Sequence, residues 1–330
     1  MDIVRFQRDV PEKLKGAVLA IGNFDGVHRG HQQVLREASA IAGREGRRSG
    51  AVVFEPHPRE FFAPDTPFFR LTPLPLKLEL LEALGLDQTF IIAFNPELAA
   101  LSAPDFATEV VAKGLGASHV VVGHDFSYGR GRTGTTEELA ALGRELGFGV
   151  DVVAPVGEGG MTFSSSRIRE YLRNGEVREA AEQLGYWWRV RGRVAAGAGR
   201  GKGLGFPTLN LPLVQGQDVR HGIYAMRVAY DGLRHHAAGY VGARPTFGAG
   251  EPVLEAYLLD FAGDLYGQDV DVEFVAFLRP DEAFATPEAL AAKMHEDCAR
   301  ARAVLEKIDA RDPIERFPLA RALAKAAPTL

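Results

Sequence analysis

The first half of the chain alternates between short apolar runs and longer segments with a helical period. Apolar runs of this kind are typical of strands buried on both faces, and strand–helix alternation favours a parallel, doubly wound sheet. Ligands of such sheets bind beyond the carboxyl ends of the strands. The pattern predicts strands at 17–22, 50–54, 89–94, 119–123 and 149–154, with helices at 31–46, 75–85, 104–115 and 135–147.

A different pattern begins near residue 164. A serine run and two short helical segments, the second at 176–184, lead to Gly185. Beyond it, short apolar segments separated by glycine-rich turns predict a β-barrel or sandwich. We place the boundary near 185, so that the domains are 1–184 and 185–330. The strands of the second domain are predicted at 187–194, 222–230, 236–242, 253–261 and 269–277.

Local sequence patterns predict a hairpin and a C-terminal helix in the second domain. Asp231-Gly232 lies between apolar runs and predicts a tight hairpin. Thr286 is a helix cap, and the helix that it begins is predicted to reach about Lys307. The tail after Asp309 predicts a weak helical extension, to which we assign no function.

Composition and charge argue against nucleic acid and membranes as binding partners of this protein. The 330 residues allow about two domains, 46% of them are apolar and 25% charged, and the net charge is −5. A strong nucleic-acid binder is usually basic, so nucleic acid is disfavoured. The single cysteine, Cys298, forms no intrachain disulfide, and we find neither a leader pattern nor an apolar run of membrane-spanning length. We expect a cytoplasmic protein without a nucleic-acid or membrane partner.

Two histidines three residues apart follow the first predicted strand. His28 and His31 lie where the next helix begins, and Gly30 between them allows a ligand to approach closely. Free backbone N–H groups and the helix dipole attract anions at such a place. Incidental surface histidines are the alternative, but the pair after a glycine-rich turn favours a phosphate site.

A second anion-binding signal lies at 164–169. Ser164, Ser165, Ser166 and Arg169 offer hydroxyls, N–H groups and a guanidinium at the start of a helix. A plain helix cap is the alternative. Together with the histidines, we interpret the run as a triphosphate clamp, because nucleotidyl transfer depends on positioning and on electrostatic stabilisation.

Several loops of the first domain are open to two interpretations. The stretch Gly129–Gly134 matches the dinucleotide pattern G-x-G-x-x-G, but its first glycine comes six residues after the strand, which favours a flexible loop beside a ligand. Glu55-Pro56-His57-Pro58 is either functional or a stiff loop. The loop aromatics either stack on a planar ligand or pack on the domain; they are Phe61, Phe62, Phe68, Phe69 and Tyr128.

The second domain carries its own phosphate signal at 197–205. Five glycines surround Lys202, but Ala196 and Gly203 rule out a Walker loop. Thr208 and Asn210 alternate with apolar residues, as on an edge strand, and their oxygens suit a Mg²⁺–phosphate group. A solvent-exposed glycine loop is the alternative. Glu255, on an apolar strand, fits a general base, although alone it would be taken as an outward-facing strand residue.

Taken together and in this order, the motifs resemble the prokaryotic bifunctional riboflavin kinase/FAD synthetase family from about residue 15 to 305. The resemblance implies a Rossmann-like nucleotidyltransferase domain followed by a β-barrel kinase domain with a C-terminal helix. Its matches are Gly22 to His31, Glu55 to Pro58, Arg70 to Thr72, Val122 to Gly129, Ser164 to Arg169, Gly199 to Asn210, Gly222 to Tyr224, Val241 to Phe247, Glu255 to Gly267 and Phe277 to Pro280.

The resemblance also implies roles for single residues. His28, His31 and Glu255 would be catalytic, Thr208 and Asn210 would organise Mg²⁺, and Phe62, Asp125 and Tyr128 would contact the flavin. ATP and its phosphates would be held by Gly22, Asn23, Phe24, Asp25, Gly30, Ser164, Ser165, Arg169, Gly199, Gly201, Lys202, Gly203, Thr208 and Asn210.

The implied activity has two steps. Riboflavin and ATP give FMN and ADP in the second domain; FMN and a second ATP give FAD and pyrophosphate in the first. There are two alternatives. One is a nucleotidyltransferase with a single activity, and the other is a flavin- or nucleotide-binding module without turnover. The oligomeric state does not follow from the sequence.

Three residues depart from the family pattern. Glu55 stands where Asp is usual, and Leu209 where Ala is usual. Asp125 stands where Asn is frequent and would add negative charge beside a flavin phosphate.

Overall fold

The computed structural model describes residues 1–6, 8–195, 206–214, 216–243 and 252–326. The chain divides into two compact units. The first comprises Met1–Phe68 and Thr72–Ser164, and the second comprises Phe69–Leu71 and Ser165–Leu330. The boundary between domains near 185 stays a prediction.

The first unit is built on a six-stranded sheet in the order β1-β4-β3-β2-β5-β6, and all neighbouring strands are parallel. Its central strands are almost wholly buried, as their continuous apolar sequences require. The predicted doubly wound sheet is confirmed. The strands are β1 (Asp2–Phe6), β2 (Val18–Ile21), β3 (Ser49–Glu55), β4 (Gln88–Ala93), β5 (His119–Gly123) and β6 (Gly149–Val153).

Helices connect these strands. Chain connections from β2 lead to β3 on one side and, later, to β5 on the other, so the strand order reverses at the carboxyl end of β2. The helices are α1 (Arg29–Glu45), α2 (Pro58–Phe62), α3 (Leu74–Ala83), α4 (Pro96–Ala100), α5 (Ala103–Asp105) with a π-helical continuation (Phe106–Gly114), and α6 (Thr136–Leu146). A short hairpin of β7 (Gly157–Glu158) and β8 (Met161–Thr162) follows.

The second unit is an antiparallel sheet in the order β10-β13-β12-β11-β14-β9. A bridge between Ala195 and Asn210 joins its two edges, so the sheet is close to a barrel, as predicted. The strands are β9 (Arg189–Arg193), β10 (Leu209–Pro212), β11 (Gly222–Tyr230), β12 (Leu233–Ala243), β13 (Pro252–Leu258) and β14 (Asp269–Arg279).

Helices precede and follow this sheet. They are α7 (Ser165–Asn174), α8 (Val177–Leu184), α9 (Pro287–Ala310) and α10 (Pro318–Ala326). Thr286 caps α9 through a hydrogen bond from the backbone N–H of Ala289, as predicted, although the helix runs beyond Lys307. The hairpin at Asp231-Gly232 is also confirmed, because Tyr230 pairs with Leu233 and both turn residues have positive φ.

Among the described helices, none combines the length and the apolarity that crossing a membrane requires.

Candidate active site

The loop between β2 and α1 has an unusual backbone. Phe24 and Val27 have φ values of 45° and 40°, although neither is glycine, and both side chains are buried. Left-handed backbone at a bulky residue costs about 1–3 kcal/mol and persists only where the surroundings impose it. Gly22 leaves room for the Phe24 ring, which would lie 3.1 Å from a Cβ at that position. The loop is therefore held in one specific shape.

Hydrogen bonds from Thr72, just before α3, and from Lys77 within α3 hold this loop. Asp25 is 3% exposed and accepts from the backbone N–H of Thr72 at 3.1 Å. The Thr72 hydroxyl in turn accepts from the backbone N–H of Gly26 at 2.8 Å. The Nζ of Lys77 donates to the carbonyl of the exposed Asn23 at 2.7 Å. The carboxylate of Asp25 thus serves the loop itself, and a phosphate-binding role for Asn23, Phe24 and Asp25 stays a prediction.

The two histidines lie together at the start of α1. The helix begins at Arg29, two residues before the predicted start, because His28 is its cap: His28 Nδ1 accepts from the backbone N–H of His31 at 3.3 Å. The two rings stack, with centroids 3.6 Å apart and planes 19° apart. At Gly30 a Cβ would lie 3.1 Å from the His28 ring, so glycine makes room for the stack.

His31 is a neutral imidazole at physiological pH. Burial holds its pKa well below the ordinary 6.5, and electrostatic interactions with His28 and Lys77 act in the same direction. Its Nδ1 is buried and finds no hydrogen-bond partner among the residues that the structure describes. A neutral ring offers one N–H donor, which suits a phosphate oxygen.

The residues of the predicted triphosphate clamp fall on both sides of the division between the units. Ser164 ends the first unit, and Ser165 begins α7 in the second. Arg169 is 7% exposed, and its Nε donates to the carbonyl of Phe69 at 2.6 Å. That Ser164, Ser165 and Arg169 bind the triphosphate of ATP stays a prediction.

The residues predicted to contact flavin have different surroundings. Phe62 is 68% exposed and lies edge-to-face with Phe94. Asp125 is exposed. Tyr128 is buried against Phe126, and burial, with a smaller contribution from Glu138, raises the pKa of its hydroxyl to about 12. Phe62 thus offers an open aromatic face, whereas Tyr128 belongs to the core, and their flavin contacts stay predictions.

The loop Gly129–Gly134 is short and tightly packed. Backbone hydrogen bonds join Tyr128 and Gly134 in both directions, at 3.2 and 2.9 Å. A Cβ at Gly129 would lie 2.7 Å from the backbone of Ala103. Gly129 and Gly134, at the two ends of the loop, therefore have a packing reason within the unit.

In the second unit, Asn210 and Glu255 are directly opposite each other on the antiparallel pair β10–β13. They are 4% and 8% exposed, and side chains so paired lie on the same face of the sheet. The Asn210 Oδ1 is buried and has no hydrogen-bond partner in the described part of the chain. Thr208, two residues before Asn210, is half-buried, and β10 is the edge strand that the alternation predicted.

Thr208 and Leu209, which precede Asn210 in sequence, line a cleft. Its other lining residues include Leu258 at the end of β13, and Leu265 and Tyr266 of the β13–β14 connection. Leu209 thus forms part of an apolar wall of the cleft. Gly199, Gly201, Lys202 and Gly203, which the sequence analysis assigned to a phosphate loop, lie outside the described residues.

Sequence reasoning missed two residues of the first site. Thr72 was matched only within a family motif, and Lys77 was not considered. The signal for Lys77 was a single lysine in the apolar run Leu74–Leu81, where a surface helix would place more polar residues.

Comparison with known proteins covers both units. A family model described as FAD synthetase matches residues 10–167, and one described as riboflavin kinase matches residues 184–305. A bifunctional riboflavin kinase/FMN adenylyltransferase from Pseudomonas fluorescens is 38% identical over 305 residues, which are 92% of this chain and 98% of that protein. One of the same name from Escherichia coli K12 is 36% identical over 289 residues, 87% and 92% of the two chains.

A solved structure extends the comparison to the fold. The crystal structure described as a macrolide-efflux protein from Streptococcus pneumoniae matches with a TM-score of 0.81 and 28% sequence identity. The match covers 91% of this chain and 98% of that one.

Proposed function

Since the chain belongs to the family of bifunctional riboflavin kinase/FMN adenylyltransferases, we propose that it converts riboflavin to FMN and FMN to FAD, with ATP as co-substrate of both steps. The observation that carries the proposal is the stacked pair of His28 and His31, at the helix start that follows the carboxyl end of β2. We assign adenylyl transfer to 1–184 and phosphorylation to 185–330, and the limits of the two family models support that division.

In the adenylyl transfer, a phosphate oxygen of FMN attacks the α-phosphorus of ATP. A new P–O bond forms, the bond between the α-phosphorus and the bridging oxygen breaks, and pyrophosphate leaves. His28 and His31 donate N–H groups to the phosphate oxygens, where charge develops in the transition state. No general base is needed, because the FMN phosphate is already a nucleophile.

The groups around the histidines position the nucleotide. Gly22 and Gly30 leave room for the Phe24 and His28 rings beside the bound ATP. Asn23, Phe24 and Asp25 belong to the loop that would bind the nucleotide, and the hydrogen bond of Asp25 holds the shape of that loop. Ser164, Ser165 and Arg169 hold the β- and γ-phosphates. Phe62, Asp125 and Tyr128 contact the flavin.

In the kinase reaction, Glu255 takes the proton from the 5′-hydroxyl of riboflavin as this oxygen attacks the γ-phosphorus of ATP, and ADP leaves. The register of Glu255 against Asn210 supports this assignment, because it places a carboxylate and an amide oxygen on one face. Gly199, Gly201, Lys202 and Gly203 complete the phosphate loop of this proposal.

Magnesium fits the kinase site. The described residues hold no cluster of three His, Cys, Asp or Glu side chains for a metal, so a Mg²⁺ ion here would rely on few protein oxygens together with phosphate and water. The buried, unpartnered Oδ1 of Asn210 is such an oxygen, and Thr208 provides a second. When bound, Mg²⁺ would neutralise the charge of the transferred phosphate.

We also infer that the enzyme acts in the cytoplasm. The single cysteine supports a reducing compartment, in which proteins are built without disulfides.

The two-step activity is tested by incubating the protein with riboflavin, ATP and Mg²⁺ and separating the flavins by chromatography. FMN and then FAD are expected, with ADP and pyrophosphate as co-products. FMN without FAD, or FAD only from added FMN, would indicate a single activity. Tight flavin binding without release of ADP or pyrophosphate would indicate a binding module.

Separate sites are tested by His28→Ala. This variant should lose FAD formation from FMN by about 10²–10³-fold, the usual cost of one transition-state donor. FMN formation from riboflavin should persist, and loss of both activities would contradict the assignment of the two sites. His119→Ala, in which a histidine paired with Asp151 is removed from β5, is the matched control and should retain both activities.

A further inference from the structure

A lysine is buried in the interior of the first unit. Lys77 lies in the first turn of α3, in the sequence Leu-Pro-Leu-Lys-Leu-Glu-Leu-Leu, and is only 1% exposed. Burial of an ammonium costs several kcal/mol unless hydrogen bonds compensate for the lost water. A leucine or methionine would fill the same space without that cost. The charge and the donor of Lys77 therefore need a reason beyond packing.

The hydrogen bond of Lys77 points to the reason. Its Nζ donates to the carbonyl of Asn23 at 2.7 Å, directly before the left-handed residue Phe24. The other anchor from the same segment, Thr72, binds Asp25 and Gly26. Lys77 and Thr72 thus hold the loop on both sides of Phe24, and that loop leads directly into the cap residue His28.

Lys77 also acts on the second histidine. The titratable groups whose electrostatic interaction lowers the pKa of His31 are His28, from the start of α1, and Lys77, from α3. A buried charge is screened by water less than an exposed one, so the effect of Lys77 persists at physiological salt. The ammonium of Lys77 and the histidine pair are therefore coupled in geometry and in charge.

We propose that Lys77 is a positioning residue of the adenylyl-transfer site, which fixes the Asn23 carbonyl and thereby the loop that carries His28. The inference rests on the proposed function, because it assigns Lys77 to the site that forms FAD. Lys77 acts through the loop and through His31 and is not assigned a contact with substrate.

The test compares two buried positions of the same helix. Lys77→Met keeps the length and apolar volume of the side chain but removes the charge and the donor. Leu80→Ala removes apolar packing from α3 at a residue that is 1% exposed and is the matched control for a structural defect. The full chain is used, and its FMN formation from riboflavin reports the integrity of the second unit in each variant.

Lys77→Met should lower the kcat of FAD formation from FMN and ATP by up to about 10²-fold, the cost of misplacing catalytic groups by about 1 Å. The KM for ATP should change by less than about threefold, because the ground-state contacts are not removed. Leu80→Ala should lower the melting temperature but leave kcat within about twofold. Equal losses of kcat in the two variants would overturn the proposal.

A spectroscopic readout separates positioning from packing. In NMR titrations of the histidine rings, the pKa of His31 should rise in Lys77→Met and stay low in Leu80→Ala. Lys77→Gln, a smaller uncharged side chain, takes the place of the methionine variant if that one does not fold, with the same expected rise. An unshifted His31 titration in the folded variant overturns the proposal. Absence of FAD formation by the unmodified protein would instead overturn the proposed function.

Discussion

Single residues in this protein carry structural and chemical roles at once. His28 closes the first turn of α1 with Nδ1, which accepts from the backbone N–H of His31. A neutral ring that accepts at Nδ1 carries its proton at Nε2, so Nε2 is the donor atom of the ring. The cap therefore fixes the tautomer of a residue that we propose to be catalytic. The usual preferences for helix caps do not predict that His28 caps α1, because histidine is not among the common cap residues.

Glu255 is tested by a change that keeps its shape. Glu255→Gln should lower FMN formation from riboflavin by about 10²–10⁴-fold, because an amide does not accept the proton of the 5′-hydroxyl. FAD formation from added FMN should be unchanged and is the internal control for folding. Chromatography of the flavins measures both. A variant with normal FMN formation would remove Glu255 from the reaction.

Acid should destabilise the first unit through His31. The pKa of His31 is held well below 6.5 in the folded protein by burial, His28 and Lys77, whereas the unfolded chain has the ordinary value. Below about pH 6.5 the unfolded chain therefore binds a proton that the folded protein does not, and the free energy of unfolding falls by up to about 1.4 kcal/mol per pH unit. Above that pH, His31 contributes no pH dependence.

Urea unfolding at about pH 5 and about pH 7.5 measures this effect in the unmodified protein and in His31→Gln. The variant should lose less stability on acidification than the unmodified protein. Identical losses would show that His31 is not the responsible group.

At the scale of elements, the apolar pattern predicted the sheet strands of the first unit from β2 to β6 and the main helices that connect them, because buried parallel strands are continuous apolar runs. It missed β1, whose residues are mostly exposed, and it did not give the bounds of β10. Both are edge strands, in which sheet contacts rather than apolar sequence determine the structure. The left-handed backbone at Phe24 and Val27 had no signal in the sequence, since it depends on anchors 46 to 54 residues away along the chain.

The first turn of α1 can be tested at its glycine. Gly30→Ala places a Cβ 3.1 Å from the His28 ring and should displace it, so the kcat of FAD formation should fall by about tenfold or more. Gly43→Ala is the matched control on the same helix, where a Cβ meets nothing within 4 Å. It should stabilise the protein by about 0.5–1 kcal/mol without changing activity. Equal activities of the two variants would argue against the importance of the histidine stack.

At the scale of the whole molecule, two compact units carry two phosphate chemistries. The composition predicted two domains, and the family resemblance implied their activities, but nothing in the sequence located the interactions that fasten the C-terminal segment to the second unit. There, Arg227 is 5% exposed and its guanidinium lies 2.6 Å from Asp309 and 3.0 Å from Asp312. Trp187 Nε1 donates to Asp312 at 2.8 Å. These partners are up to 125 residues apart in sequence, which no local pattern reveals.

Removal of one acid from this cluster should affect the second unit alone. Asp312→Ala leaves the buried Arg227 and Trp187 short of an acceptor and should lower the free energy of unfolding of that unit by about 2–4 kcal/mol. Asp218→Ala, which removes an exposed partner of Arg173, is the control, with a change below about 1 kcal/mol. Denaturant unfolding measures both. An equally small change in Asp312→Ala would show that the cluster does not stabilise the unit.

The three residues Phe69–Leu71 limit where this gene can be cut to separate its two activities. They belong to the second unit although the chain on both sides of them belongs to the first. Phe69 and Leu71 are 2% and 0% exposed, and their carbonyls accept from Arg169 and from Trp188 Nε1. A gene cut at codon 164 would separate both donors from this segment, and one cut at 184 would still lose Trp188. A fragment of this chain designed to keep the first activity alone would therefore leave the apolar side chains of Phe69 and Leu71 without these partners from the second unit.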